Sequence, residues 1–267
     1  MNTMNRRTML KAAGVLAAGG VAGCARSASA DDDAHTLFAV PRTTIPIVDS
    51  DDLFPVRRIY CIGRNYAAHA IEMGSDPDRE PPFFFQKATD AVQIVMPGET
   101  ADHVYPPLTE NYHYEIELVA ALHRGGRDIA PEEALECVFG YAVGLDMTRR
   151  DLQRAMGDES KPWEIGKSFD HSAPLGPIHP AELVGHLTEG SIRLQVNGET
   201  KQEANLEQMI WNVAEQVSNL SRSSELRPGD IIYSGTPENV GPVVPGDIME
   251  GRIEGLPEIV VRVVPRT

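Results

Sequence analysis

Three cysteines among 267 residues are too few to staple a small disulfide scaffold. Cys61 and Cys137 stand in apolar stretches, where a cysteine reads first as a buried thiol, although the sequence leaves a bond between them open. No apolar run reaches the length of a membrane-spanning helix with ordinary flanks. There is no internal repeat, and no low-complexity segment after residue 33. Bases are scarce: 24 Lys and Arg stand against 39 Asp and Glu, a formal net charge of −15. The first 30 residues hold Arg6, Arg7, Lys11 and Arg26 and no acid, so the rest carries 20 bases against 39 acids, a balance of −19. Such a surface repels nucleic acid and anionic lipid. An anionic small substrate would then need a local positive centre, either a metal ion or convergent Arg and Lys. The length suits one large domain and is tight for two.

The opening segment Asn5-Arg6-Arg7-Thr8-Met9-Leu10-Lys11 precedes an Ala/Gly/Val-rich stretch over 12–23 and then small residues. This order resembles a twin-arginine export signal. Two processing points stay open. Val21-Ala22-Gly23-Cys24 resembles a lipoprotein box, which would place a lipid on Cys24; Ala28-Ser29-Ala30 resembles an ordinary cleavage site. The expectation is an exported protein, periplasmic or lipid-anchored, whose membrane contact would be confined to that lipid. The expected division is a signal over 1–30, a tether and N-terminal strand region over 31–55, and the main domain over 56–267.

Along that domain, the patterning predicts strands over 56–62, 83–85, 92–95, 115–122, 138–145, 192–196, 231–234 and 259–264. Another follows the Pro245-Gly246-Asp247 turn. Short helices are predicted over 66–73, 131–137, 148–156 and 212–220, and Asn197-Gly198 marks a hairpin turn. Many short strands with scattered short helices predict an α+β fold, mainly β, built on a rolled or sandwiched sheet.

Glu115 and Glu117 lie two apart on a predicted strand, so both leave the same face, opposite Ile116, Leu118 and Ala120. Adjacent carboxylates repel unless protons or a cation neutralise them. Asp146 follows the next predicted strand, and three carboxylates on neighbouring strand ends offer the oxygen-only donor set that Mg²⁺ prefers. The bland alternative is a solvated strand face, common in so acidic a chain. Arg150 and Gln153 follow Asp146 at helical spacing and would bring a cation and an amide beside it. Lys167 sits in a Gly-flanked turn, Gly166-Lys167-Ser168-Phe169-Asp170, whose backbone can approach a ligand closely. His69 and Glu72, three apart on a predicted helix, form a carboxylate–imidazole pair that can serve as a general base; the bland alternative is a surface ion pair.

Together these stretches resemble the fumarylacetoacetate hydrolase family from about Arg57 to Val264. The resemblance is carried by Gly63-Arg64-Asn65-Tyr66 with His69 and Glu72, Tyr114-Glu115-Ile116-Glu117-Leu118, and Gly140-Tyr141 to Asp146 with Arg149-Arg150-Asp151-Leu152-Gln153. Gly166-Lys167-Ser168-Phe169-Asp170 and Ser234-Gly235-Thr236-Pro237-Glu238-Asn239-Val240-Gly241 complete it. Within the family, Arg57-Arg58-Ile59-Tyr60-Cys61, the run from Asp76 to Phe85 and Gly125-Gly126-Arg127-Asp128-Ile129 are most similar to members that cleave fumarylpyruvate. Ala88 departs from the proline that usually follows the lysine of the aromatic strand, which bears on the placing of Lys87.

The resemblance implies the family's mixed β-sandwich roll with short peripheral helices, usually paired as a homodimer. It implies Glu115, Glu117 and Asp146 as ligands of Mg²⁺, with Mn²⁺ as a substitute. His69, Glu72 and Lys167 would be catalytic; Arg150, Gln153, Thr236, Lys87 and Tyr66 would bind a small anionic keto acid. The implied reaction is hydrolysis of a carbon–carbon bond in an acylpyruvate. Two alternatives are oxaloacetate decarboxylation or tautomerisation on the same metal, and a lipoprotein that binds dicarboxylates without turnover.

Overall fold

The computed structural model describes residues 37–74 and 80–266. The signal, its two processing points and the Asp76-to-Arg79 part of the run from Asp76 to Phe85 lie outside the described residues. The chain divides into the units Met1–Val40 and Pro41–Thr267, and the sheets and helices described belong to the second. No helix among the described residues is long and apolar enough to cross a membrane.

The described residues of this unit form four sheets, with few and short helices. The large sheet runs in the order Phe84–Lys87, Arg58–Ile62, Asp230–Tyr233, Ile116–Leu122, Val138–Leu145, Ala173–Leu175, Val92–Ile94, with His179–Pro180 also pairing Val138–Leu145. A five-stranded sheet runs Glu199–Asn205, Ser191–Val196, Ile248–Ile253, Ile259–Val264, Thr100–Val104. A hairpin of Thr44–Pro46 with Leu53–Pro55 forms the smallest sheet. The fold is mainly β, a curled sheet sandwich with peripheral helices, as the patterning predicts.

Both faces of the large sheet are buried, so its strands are apolar on alternate and intervening positions alike. Ile116, Leu118, Ala120 and Leu122 join Ile192, Leu194, Met249 and Val261 of the five-stranded sheet in the main core. The opposite face carries Val119 and Ala121 into a second core with Ile45, Phe54, Ile59 and Leu175. Each fully buried aliphatic side chain contributes about 1.5–3 kcal/mol. The helix Val213–Ser223 closes the main core with Val213, Val217 and Leu220. Its start is fixed by a capping box: Asn212 accepts from the Glu215 amide and Glu215 from the Asn212 amide, both at 3.0 Å. Cys61 and Cys137 are both free and buried.

Three neighbouring strands of the large sheet break at the same level. The predicted 115–122 strand is Ile116–Leu122, and a separate strand, Tyr112–Tyr114, precedes it with Glu115 between them. Val138–Leu145 gives way to Thr148–Arg149 across Asp146 and Met147, and Asp230–Tyr233 to Gly241–Pro242 across the loop that contains Thr236. The outgoing pieces re-pair as a three-stranded sheet, Thr148–Arg149, Tyr112–Tyr114, Gly241–Pro242. At this corner the Asp146 amide donates to the Glu115 carbonyl at 2.8 Å, which holds the two acidic residues side by side.

Candidate active site

Glu115, Glu117 and Asp146 converge at the corner, with one carboxylate oxygen of each within 4.8 Å of the others. All three are buried. The solvated strand face is therefore excluded, and the pairing of the carboxylates has to be made good by cations or protons. Three cations reach them. The Lys167 ammonium lies 2.7 Å from Glu115 Oε2 and 2.8 Å from Asp146 Oδ2. Arg150 bonds Glu115 Oε1, and Lys87 Nζ lies 2.8 Å from Asp146 Oδ1. That last contact is an ion pair without the alignment of a hydrogen bond, so Asp146 Oδ1 has no hydrogen-bond partner despite its burial.

Charge is shared unevenly among the carboxylates. Burial alone would raise the pKa of Glu115, but Lys167, Arg150 and His69 outweigh it and hold the group below the usual carboxylate range. Glu117 has no cation beside it among the described residues; its Oε2 accepts from the Gly235 amide at 2.7 Å. Burial, then repulsion from Asp146 and Glu115, drives the Glu117 carboxyl well above the usual range. Burial would lower Lys167, and Asp146 and Glu115 reverse it, so its pKa is raised. An all-oxygen donor set containing one uncompensated buried carboxylate fits a hard divalent cation such as Mg²⁺ or Mn²⁺.

The cation-bearing residues are set by close packing. Lys167 is the last residue of a short helix, Glu164–Lys167, rather than part of the predicted turn. Gly166 lets that helix lie on Arg150–Asp158: a Cβ there would fall 2.7 Å from both the backbone nitrogen and Cβ of Gln153. The latter helix begins at Arg150, two residues later than predicted, because Thr148 and Arg149 pair with Tyr112–Tyr114. Arg150 also bonds Gln153 Oε1, and its Nε donates to His113 Nδ1 at 3.4 Å. His113 Nε2 donates to Asn111 Oδ1 at 2.8 Å, the tautomer that leaves Nδ1 free to accept. Burial, then Arg150, lowers the His113 pKa to about 4, which keeps the ring neutral in that role.

The helix Ala67–Glu72 brings His69 to the same cavity. His69 is buried, and its Nδ1 lies 3.0 Å from Glu72 Oε2. Glu72 Oε2 also accepts from the Asn239 amide at 3.1 Å, which ties the helix to the loop containing Thr236. With Nδ1–H directed at the carboxylate, Nε2 is the nitrogen left to take a proton.

The inner cavity, about 20 Å³, is lined by His69, Glu115, Glu117, Asp146, Arg150, Gln153, Lys167 and Thr236, with Arg64, Phe85 and Trp163 among its walls. That is room for about one water molecule. An outer basin of about 560 Å³ shares the walls Arg64, Met73, Gln153 and Trp163. Thr236 Oγ1 accepts from Gln202 Nε2 at 3.0 Å. Two of the residues named from sequence do not line the inner cavity. Tyr66 is buried in the main core, its hydroxyl unpartnered and its pKa raised by burial, then by Glu117 and Glu238. Lys87 lies behind the carboxylates and bonds the Met147 and Lys167 carbonyls. Ala88 donates its amide to Ser168 Oγ at 2.8 Å, a bond proline cannot make, and so secures the strand end that carries Lys87.

Sequence reasoning overlooked Gln202 and Arg64 as parts of the site. Gln202 accepts from the Ile116 amide at 3.0 Å and donates to Thr236 and the Pro237 carbonyl, bridging the two sheets. Only its polar character at a buried hairpin position could have pointed to it.

Fold and site together define a β-roll protein with a buried carboxylate centre suited to a divalent cation and a histidine–glutamate pair beside it. The family model described as Fumarylacetoacetate (FAA) hydrolase C-terminal matches residues 58–264, and the chain belongs to that family. It is 45% identical to a fumarylpyruvate hydrolase of a Ralstonia species, over 72% of this chain and 99% of that protein. The crystal structure of fumarylpyruvate hydrolase from Pseudomonas aeruginosa in complex with Mn²⁺ and pyruvate is 59% identical, with a TM-score of 0.86 over 87% of this chain and 100% of that one. A mitochondrial oxaloacetate decarboxylase of Dictyostelium discoideum is 36% identical over 75% of this chain and 90% of its own length.

Proposed function

We propose that the protein is a metal-dependent hydrolase of acylpyruvates that splits fumarylpyruvate into fumarate and pyruvate. The observation that carries the reading is the convergence on one cavity of three buried carboxylates, one of them without a cation, and the His69–Glu72 pair. The likeness to fumarylpyruvate hydrolases supports the choice of substrate. Glu115, Glu117 and Asp146 would hold the cation, Mg²⁺ or Mn²⁺, which when bound would supply fixed positive charge at the oxo-acid end of the substrate.

The protein's own residues do the rest. Arg150, Gln153, Lys167 and Thr236 hold the carboxylate and keto oxygens. His69 Nε2 takes a proton from water, and Glu72 stabilises the resulting imidazolium through Nδ1–H. The hydroxide oxygen bonds to the carbonyl carbon of the acyl group. The bond from that carbon to the neighbouring methylene then breaks, and its electron pair leaves with the pyruvate fragment as an enolate. A proton returns to the methylene carbon, giving pyruvate; the acyl part leaves as a carboxylate. Lys87, paired with Asp146, holds the Asp146 carboxylate in place.

Oxaloacetate decarboxylation or tautomerisation is the second reading, favoured by the Dictyostelium relative and by an inner cavity of about 20 Å³, which suits a small substrate. Product analysis separates the two. The metal-loaded chain is offered fumarylpyruvate, acetylpyruvate and oxaloacetate, and ultraviolet absorbance is followed with the products identified. Equimolar fumarate and pyruvate from fumarylpyruvate is the expected result. Turnover of oxaloacetate alone would overturn the hydrolase reading.

A further inference from the structure

Arg64 stands apart from the other cations of the site. Lys87, Lys167 and Arg150 are all bound to the carboxylates, and Lys161 at the rim pairs with Glu159; Arg154, also without an ion pair among the described residues, is exposed on the outer basin and does not line the inner cavity. Arg64 has no ion pair among the described residues, and its Nε is buried without a hydrogen-bond partner. Its Cζ lies 5.6 Å over the Phe83 ring, which steadies the guanidinium without neutralising it. Its backbone is left-handed at φ 56°, a conformation that costs a non-glycine residue energy and that collects at functional positions.

Its location gives that free charge a use. Arg64 forms part of the wall of the inner cavity and of the outer basin. With the oxo-acid end of an acylpyruvate at the carboxylate centre, the acyl tail has to leave a cavity of about 20 Å³ past this shared wall. Glu72, an acid lining the basin, is already engaged with His69 and Asn239. A tail ending in a carboxylate meets an unpaired guanidinium at the boundary; a tail ending in a methyl group leaves that guanidinium without a partner.

We infer that Arg64 is the specificity residue of this enzyme, selecting acylpyruvates whose acyl group ends in a carboxylate over those with a neutral tail. The inference rests on the acylpyruvate reading above and adds the residue that chooses the acyl group.

The test compares kcat/KM for fumarylpyruvate and acetylpyruvate in the full, Mn²⁺-loaded chain. Arg64→Gly removes the charge and also relieves the left-handed backbone, so the fold is kept. The ratio of the two kcat/KM values should fall roughly 10- to 100-fold in Arg64→Gly, the worth of one charge-assisted contact, and less than tenfold in Arg64→Lys. Arg154→Ala, an exposed cation on the basin rim, should shift the ratio by less than about threefold. An unchanged ratio in Arg64→Gly, an equal loss on both substrates, or a larger shift in Arg154→Ala would overturn the assignment. A calorimetric arm does not depend on turnover: the wild type should bind fumarate more tightly than crotonate, and Arg64→Gly should lose that preference. A preference that survives the substitution, or that the wild type lacks, also overturns it. If the wild type cleaves neither acylpyruvate, the functional reading fails and calorimetry alone decides the role of Arg64.

Discussion

His69 is placed for proton transfer by its surroundings. Glu72 fixes one ring nitrogen, the Asn239 amide fixes Glu72, and the imidazole forms part of the cavity wall. Replacing His69 by Ala should reduce acylpyruvate turnover roughly 10²–10⁴-fold, the range for loss of a general base. Mn²⁺ affinity, measured by calorimetry, should stay within a few-fold, because His69 is not among the three converging carboxylates. Wild-type turnover in this variant would mean that water is activated elsewhere. Glu117 differs from its two neighbours in kind. Glu115 and Asp146 are ion-paired to Lys167, Arg150 and Lys87, so the need for an external cation is concentrated on Glu117, which none of them pairs directly.

Elements, rather than residues, set how closely these charges approach. Gly166 lies against the backbone of Gln153, so Gly166→Ala has to push the Glu164–Lys167 helix away from Arg150–Asp158 and draw Lys167 out of the site. It should cost about 1–3 kcal/mol in thermal unfolding, as overpacking does, and lower kcat together with stability. An unchanged kcat would show that Lys167 tolerates the displacement. Much of this architecture was legible in the sequence. Alternation puts Glu115 and Glu117 on one strand face, Asp146 follows the 138–145 strand, the 212–220 helix shows in its apolar period, and the Asn197-Gly198 hairpin in its turn chemistry. What escaped was non-local. The break at Glu115 comes from three strands leaving one sheet for another together, which no period within 115–122 records. The Lys167 helix has four residues, too few for a periodic signal. Ala173–Leu175 and Thr100–Val104 are short strands held by their partners, and Gln202 acquires its role only when two sheets meet.

At the scale of the whole molecule, an acidic chain keeps a compensated, cation-lined interior at one corner of its sheets. Stability has its own dependence on pH. His103 is buried between Gln93 and Tyr112, at 2.6 Å from each, and burial, then His171 and Lys87, lowers its pKa to about 4. The unfolded chain takes that proton near the ordinary histidine value of about 6.5, before the folded one does. The stabilisation is therefore complete above that value and is lost as pH falls from there toward 4. Replacing His103 by Gln should flatten the urea-unfolding free energy across this window, and an unchanged slope would assign the dependence to other groups. The central claim, that the carboxylate corner holds the cation on which acylpyruvate cleavage depends, has one direct test. Fumarate and pyruvate released from fumarylpyruvate are measured in the full chain as purified, after exhaustive chelation, and after Mg²⁺ or Mn²⁺ is returned. The account predicts that both products disappear together on chelation and return together in equal amounts; undiminished release from the chelated chain would contradict it.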